Sequence, residues 1–274
     1  MKFTKMHGCG NDYIYVNRFE QPFSQEEPQC GERIRFLSDR HFGIGGDGVI
    51  LISPSKIADA RMDMYNSDGT AGAMCGNGVR CVAKFVHDHG IARKDEIAIE
   101  TDGGLKLIRV IEKNAAGNAT WLRVDMGEPA YGELEIPLDV NDANGEPIRI
   151  TPVSMGNPHG VVFVNEITDD HVFRLGPILE HHPLFPNRAN IEFVQVLSPT
   201  ELRMRVWERG SGETLACGTG ASASCVASVL TQRASRGVTV HLIGGDLQIE
   251  WDEAANHVFM TGPATEVFSG EIAD

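Results

Sequence analysis

The feature that most constrains this chain is that it carries its own pattern twice. A shift of 142 residues brings Arg61-Met62 onto Arg203-Met204, Tyr65 onto Trp207, and Cys75-Gly76-Asn77-Gly78 onto Cys217-Gly218-Thr219-Gly220. The same shift aligns Gly103 with Gly245, Leu105 with Leu247 and Leu107 with Ile249. Near the front, Gly10-Asn11-Asp12 pairs with Gly156-Asn157-Pro158 at a shift of 146. Near the end, Asp125-Met126-Gly127-Glu128-Pro129-Ala130 resembles Phe259-Met260-Thr261-Gly262-Pro263-Ala264 at 134. Loop insertions and one shorter hairpin account for the drift. A duplication on this scale fixes the architecture before any local reading: two related halves, each a folding unit.

Each half has the same local grammar. Val49-Ile50-Leu51-Ile52, Glu192-Phe193-Val194-Gln195-Val196 and the alternating Leu202-Arg203-Met204-Arg205-Val206-Trp207 read as strands. A helix follows each Cys-Gly-x-Gly. In the first, Val79, Val82, Ala83 and Val86 recur at helical spacing, whereas Ala221 to Leu230 is almost wholly apolar or small and predicts a helix surrounded by protein. A hairpin joins Leu105–Glu112 to Thr120–Met126 through Asn114-Ala115-Ala116-Gly117-Asn118. Residues 133–152, with Pro137, Asn141, Asp142, Asn144, Gly145, Glu146 and Pro147, have the composition of an exposed connection, and local sequence alone would divide the chain near Gly145. The expected fold is α/β (α+β), two pseudo-symmetric lobes of curved sheet around a central helix, with a small-ligand site in the cleft between them.

Composition narrows the function. The 274 residues carry a net charge of −14 with no Lys/Arg run, which argues against nucleic acid and anionic membranes as partners and for a small-molecule substrate. No stretch approaches the roughly 20 apolar residues of a membrane span and Met1-Lys2-Phe3-Thr4-Lys5 is not a secretory signal, so a cytoplasmic location is expected. Six cysteines in a chain of this size are expected to be thiols.

Cys75 and Cys217 stand apart because the repeat matches them, each ahead of Gly-x-Gly and a helix. Cys9, Cys30, Cys81 and Cys225 read as small buried hydrophobes. Glycines at a helix start expose backbone N–H groups to an anion. A helix N-terminus stabilises a thiolate by ~0.3–1 kcal/mol, up to ~2 when partly buried, so both thiols are expected to be acidified by roughly one pKa unit. Zinc would call for Cys-x-x-Cys or Cys/His clusters, which the spacings do not provide; no metal is expected. A redox pair lacks the same motif, and a lone nucleophile with His159 as base would leave the second motif idle. Two thiols from opposite halves suit proton removal from one face of a carbon and return to the other, the requirement for stereochemical inversion without pyridoxal.

Met6-His7-Gly8-Cys9-Gly10-Asn11-Asp12, Gly43-Ile44-Gly45-Gly46-Asp47-Gly48, Tyr65-Asn66-Ser67-Asp68-Gly69, Met74-Cys75-Gly76-Asn77-Gly78-Val79-Arg80-Cys81, Met155-Gly156-Asn157-Pro158-His159, Trp207-Glu208-Arg209-Gly210-Ser211-Gly212-Glu213-Thr214 and Ala216-Cys217-Gly218-Thr219-Gly220-Ala221 together resemble the diaminopimelate epimerase family. The resemblance runs the length of the chain. It implies cofactor-independent interconversion of LL- and meso-diaminopimelate in lysine and peptidoglycan precursor synthesis, two lobes of β-barrel-like sheet each around a helix, and a homodimer. It implies that Cys75 and Cys217 are the acid/base pair and that His159 and Glu208 tune their proton affinities. Asn11, Asn66, Asn157, Asn190, Glu208 and Arg209 match substrate-holding positions, and Gly76, Asn77, Gly218 and Thr219 the carboxylate cradle. The resemblance further implies that the terminal strands cross over, giving lobes of 1–117 plus 263–274 and of 118–262. One position departs: Gly48 stands where many members carry Gln. Two other readings remain. Proline racemase-like enzymes share the paired thiols but resemble Cys-Gly-His where this chain has Cys75-Gly76-Asn77, and a binding protein could retain the fold without the chemistry.

Overall fold

The run Gly48–Ser53 has no polar face, and it forms a strand buried along its whole length, as strands covered on both sides do. It pairs in parallel with Asn11–Asn17 and antiparallel with Ala60–Asn66. The second half repeats this: Asn190–Ser198 runs parallel to Pro158–Phe163 and antiparallel to Glu201–Glu208. The register repeats too. Tyr13 pairs with Gly48 as His159 pairs with Asn190, and Ile50 pairs with Met64 as Glu192 pairs with Val206. Ala60–Asn66 then joins the hairpin of Glu96–Thr101 and Gly104–Lys113, and Glu201–Glu208 joins that of Gly237–Leu242 and Gly245–Trp251. The fold is mixed α+β with many strands and few helices.

This computed structural model describes residues 1–26, 28–72 and 74–273. Its two units are Met1–Val124 with Gly262–Asp274, and Asp125–Thr261. The terminal strand Thr265–Glu271 pairs antiparallel with Lys2–Gly8, so the two ends of the chain meet in the first unit. Four α-helices are described: α1 (Gln29–Ser38), α2 (Gly76–Asp88), α3 (Gly176–Glu180) and α4 (Gly218–Leu230). A π-helical turn, Asp170–Leu175, leads into α3.

α2 and α4 are the helices that follow the two cysteine motifs, and each packs on the strands of its own unit. Every residue of α2 from Gly76 to His87 is buried, as are Gly218 and Gly220 to Ser228 of α4. Burial obliges every polar side chain on them to find a partner. In α4, Ser222, Ser224 and Ser228 donate to the carbonyls of Gly218, Gly220 and Ser224 at 2.9, 2.8 and 2.7 Å. In α2, Arg80 donates to Asn77 Oδ1 at 2.9 Å and Lys84 to Asp88 and the Ala119 carbonyl, both at 2.6 Å. The first unit's core gathers Ile14, Val16, Val49 and Leu51 with Ile34 and Leu37 of α1. The second gathers Ile150, Val162, Ile191 and Phe193 with Val172, Leu175 and Leu179. Each such side chain, fully buried, contributes about 1.5–3 kcal/mol of transfer free energy.

Residues 133–152, expected as an exposed connection, instead hold the strand Ile136–Asn141 and most of Pro147–Ser154, paired antiparallel. The turn-forming residues concentrate between Asp142 and Glu146, where the Asp142 carboxylate accepts from the amides of Asn144 and Glu146. On either side Leu138, Ile148 and Ile150 are buried in the core, and this burial outweighs the polar average of the segment. No described helix is long and apolar enough to cross a membrane.

Candidate active site

In the first unit the extended residue ahead of α2 is Cys75, and its sulfur accepts from the Gly78 amide at 3.4 Å, in the manner of an N-cap. The thiol in turn donates to Asn11 Oδ1 at 3.2 Å. The orientation of that amide is fixed from behind. Asn11 Nδ2 donates to Asp47 Oδ2 at 2.8 Å, and an ionised carboxylate can only accept, so the carbonyl oxygen must point to the sulfur. Asp47 also takes the Asp12 amide at 3.0 Å and an arm of Arg40 at 3.0 Å, while Asp12 is gripped by the fork of Arg40 and by Lys5 at 2.6 Å. Although its partial burial opposes ionisation, the combined pull of Arg40 and Lys5 holds Asp12 below the usual carboxylate range. The Gly43-Ile44-Gly45-Gly46-Asp47-Gly48 motif thus serves to place one carboxylate behind Asn11.

Asn77 is buried and holds Arg80, and Asn66 donates to Thr70 Oγ1 at 3.1 Å. Position 48 admits only glycine on this backbone, since a Cβ would stand 2.0 Å from the Tyr65 carbonyl oxygen. No side chain reaches out from it.

In the second unit Cys217 precedes α4 in the same extended conformation, with its sulfur 3.5 Å from Thr219 Oγ1. Thr219 receives Asn157 Nδ2 at 3.3 Å, and Asn157 Oδ1 lies 3.0 Å from His159 Nε2. The other ring nitrogen, Nδ1, lies 2.7 Å from Glu192 Oε1, and both of these side chains are wholly buried. Glu208 accepts from the Thr214 hydroxyl. Asn190 donates to the Pro158 carbonyl at 3.4 Å and accepts the Arg209 amide at 2.9 Å. The Arg209 side chain is exposed and donates to the Asn187 carbonyl at 3.1 Å.

The electrostatics reverse one expectation. Burial pushes the Cys217 thiol well above its ordinary value, and the charges of Glu208 and Glu192 push it further; the Thr219 hydroxyl and the Gly220 amide offset only part of this. A helix terminus is worth ~0.3–1 kcal/mol, up to ~2 when partly buried, whereas desolvation of a buried group can reach ~3–5 pKa units. The acidification expected at Cys217 therefore loses to burial. This thiol keeps its proton at neutral pH.

Of the residues singled out in the sequence, Asn11 and Cys75 are brought together in one unit, and Cys217, Thr219, Asn157 and His159 in the other. The Asn66 and Arg209 side chains bond elsewhere, to Thr70 and to the Asn187 carbonyl. Asp47 and Glu192 were missed. Their only signals in the sequence were a carboxylate inside a Gly-rich turn and a charge inside the run Ile191-Glu192-Phe193-Val194.

Two units on one strand pattern, each with a cysteine at the start of a buried helix, define a duplicated α+β fold also seen in solved structures. One is a probable proline racemase from Agrobacterium radiobacter K84, similar with a TM-score of 0.76 at 18% identity over 99% of this chain and 92% of that one. Another is a PhzF-family phenazine biosynthesis protein from Bacillus anthracis, with a TM-score of 0.73 at 16% identity over 100% of this chain and 99% of that one. Sequence similarity is far more specific than this shared fold. The family model for diaminopimelate epimerase matches residues 3–132 and 151–267. The diaminopimelate epimerase of Desulfovibrio desulfuricans is 52% identical over 286 residues, covering 99% of this chain and 98% of its own, and that of Acetivibrio thermocellus is 51% identical over 281 residues, covering 99% and 98%. The chain belongs to the diaminopimelate epimerase family.

Proposed function

We propose that the chain interconverts LL- and meso-diaminopimelate, supplying lysine and peptidoglycan precursor synthesis, with Cys75 and Cys217 as the two proton carriers. The observation that carries this reading is the occurrence of a thiol at both equivalent helix starts in a member of this family. In each turnover one thiolate takes the α-proton. The S–H bond forms as the C–H bond breaks, and the electron pair left on carbon spreads into the adjacent carboxylate. The thiol of the other cysteine then gives its proton to the opposite face of that carbon, so the configuration inverts and the two sulfurs exchange protonation states.

Backbone N–H groups of Gly76, Asn77, Gly218 and Thr219 receive the reacting carboxylate, where helix-terminal dipoles stabilise the negative charge that develops. Asn11, Asn66, Asn157, Asn190 and Arg209 hold the remaining polar groups, the exposed guanidinium of Arg209 being suited to a bidentate grip on the distal carboxylate. Because burial, Glu208 and Glu192 keep Cys217 protonated, Cys217 begins as the acid in the direction that starts from this state. No pyridoxal takes part in these steps.

The test is turnover of purified enzyme on LL-diaminopimelate, meso-diaminopimelate, proline and alanine in deuterium oxide. Interconversion and α-deuteration of the two diaminopimelate isomers alone supports the reading. Efficient racemisation of proline or alanine overturns the substrate assignment.

A further inference from the structure

Glu192 is fully buried inside an otherwise apolar stretch of its strand. The internal repeat supplies the control for asking why. The equivalent position in the first unit is Ile50, paired with Met64 as Glu192 is paired with Val206. Both side chains lie under the last glycine of the cysteine motif. A Cβ on Gly78 would come within 2.8 Å of Ile50 Cδ1, and one on Gly220 within 2.6 Å of Glu192 Oε1. An aliphatic side chain therefore fills this place in the shared architecture, and a carboxyl group there carries a desolvation cost that packing does not demand.

Its partner is equally particular to the second unit. Glu192 Oε1 lies 2.7 Å from His159 Nδ1, while Oε2 has no hydrogen-bond partner among the described residues. The register places Tyr13 in the first unit where His159 stands in the second. Both members of the pair are thus absent from one unit and present in the other. The pair adjoins Asn157, Thr219 and Cys217 in a chain of short contacts of 3.0, 3.3 and 3.5 Å.

We infer that Glu192 is a positioning residue for epimerisation: it accepts the Nδ1 proton of His159 and fixes the ring so that Nε2, which faces Asn157 Oδ1, is the nitrogen that exchanges protons. This rests on the proposed function, in which His159 tunes a catalytic thiol. Partners of a histidine's second nitrogen set which nitrogen works.

The test compares wild type, Glu192→Gln and Glu192→Ile, the last installing the residue of the first unit. Histidine-15N spectra, with the His159 signal assigned by its loss in His159→Gln, read the tautomer without substrate. Diaminopimelate kinetics and thermal melts are measured on the same samples. The expected result is an Nδ1-protonated His159 in wild type that loses this signature in Glu192→Ile, with kcat falling on the order of tenfold or more while KM moves little. Glu192→Gln, which keeps an acceptor oxygen, retains more of both. The inference is overturned by an unchanged tautomer or unchanged kcat in folded Glu192→Ile, and equally by both variants failing to fold, which would assign the carboxyl to the core alone. Inactivity of wild type on diaminopimelate would instead sink the functional reading, and the spectra would still decide the role of Glu192.

Discussion

At the scale of single residues, the two cysteines differ in ways their matched motifs do not reveal. Cys75 sits between the Gly78 amide and the Asn11 carbonyl, one favouring the thiolate and the other the thiol. Cys217 is buried with two carboxylates bearing on it and is held in the thiol form. Glu208 raises the Cys217 pKa, so its removal must lower it and enlarge the thiolate fraction at a given pH. Peptide-resolved alkylation by iodoacetamide at pH 8 should therefore label Cys217 faster in Glu208→Gln than in wild type, roughly tenfold for each pKa unit gained. Slower labelling would contradict the stated origin of the shift. Burial acts the same way on the two helix-interior thiols, pushing Cys81 to about 11 and Cys225 to about 12.

Those two thiols make α2 and α4 sensitive to alkali. Above an ordinary thiol value the unfolded chain releases their protons and the folded chain keeps them, so the stability they lend is complete below that pH and is lost as pH rises toward the folded values. For Cys81, raised from 9.0 to about 11, the loss amounts to about 3 kcal/mol at ~1.4 kcal/mol per unit. Urea midpoints between pH 8 and pH 11 should fall less steeply in Cys81→Ala than in wild type; parallel slopes would refute the assignment. The helix starts differ as well. In Gly78→Ala the new methyl meets the terminal atoms of Ile50 and Met62, which can shift, whereas in Gly220→Ala it meets a buried carboxyl tied to His159. Melting should show Gly220→Ala losing about 1–3 kcal/mol and Gly78→Ala less, and equal losses would deny the Glu192–His159 contact its rigidity. At this scale the sequence was most legible: the 142-residue shift reappears as matched strand registers, and the apolar run after Cys217 became a helix buried along most of its length. The hairpin at 136–154 was not, because its turn residues dominate the local composition while only a few alternating apolar side chains mark its buried face. Glu192 escaped for a different reason, since a lone charge in a strand does not disclose that it is buried against a histidine far away in sequence.

At the scale of the whole molecule, duplication of one unit gives two similar helix starts, and inversion of a carbon needs two proton carriers with opposite duties. The units share strand order, the cysteine position and the Asn that the repeat matches, Asn11 and Asn157, but not the residues behind it: Asp47 in one, His159 and Glu192 in the other. The central claim is therefore that two different thiols handle the proton, and the most direct measurement is the fate of deuterium in the first turnovers of LL-diaminopimelate in deuterium oxide, for wild type, Cys75→Ala and Cys217→Ala. The account predicts deuterium at the α-carbon of the meso product but not in recovered LL substrate, with each folded alanine variant unable to epimerise. Equal early labelling of substrate and product, or full epimerisation by either variant, would contradict it.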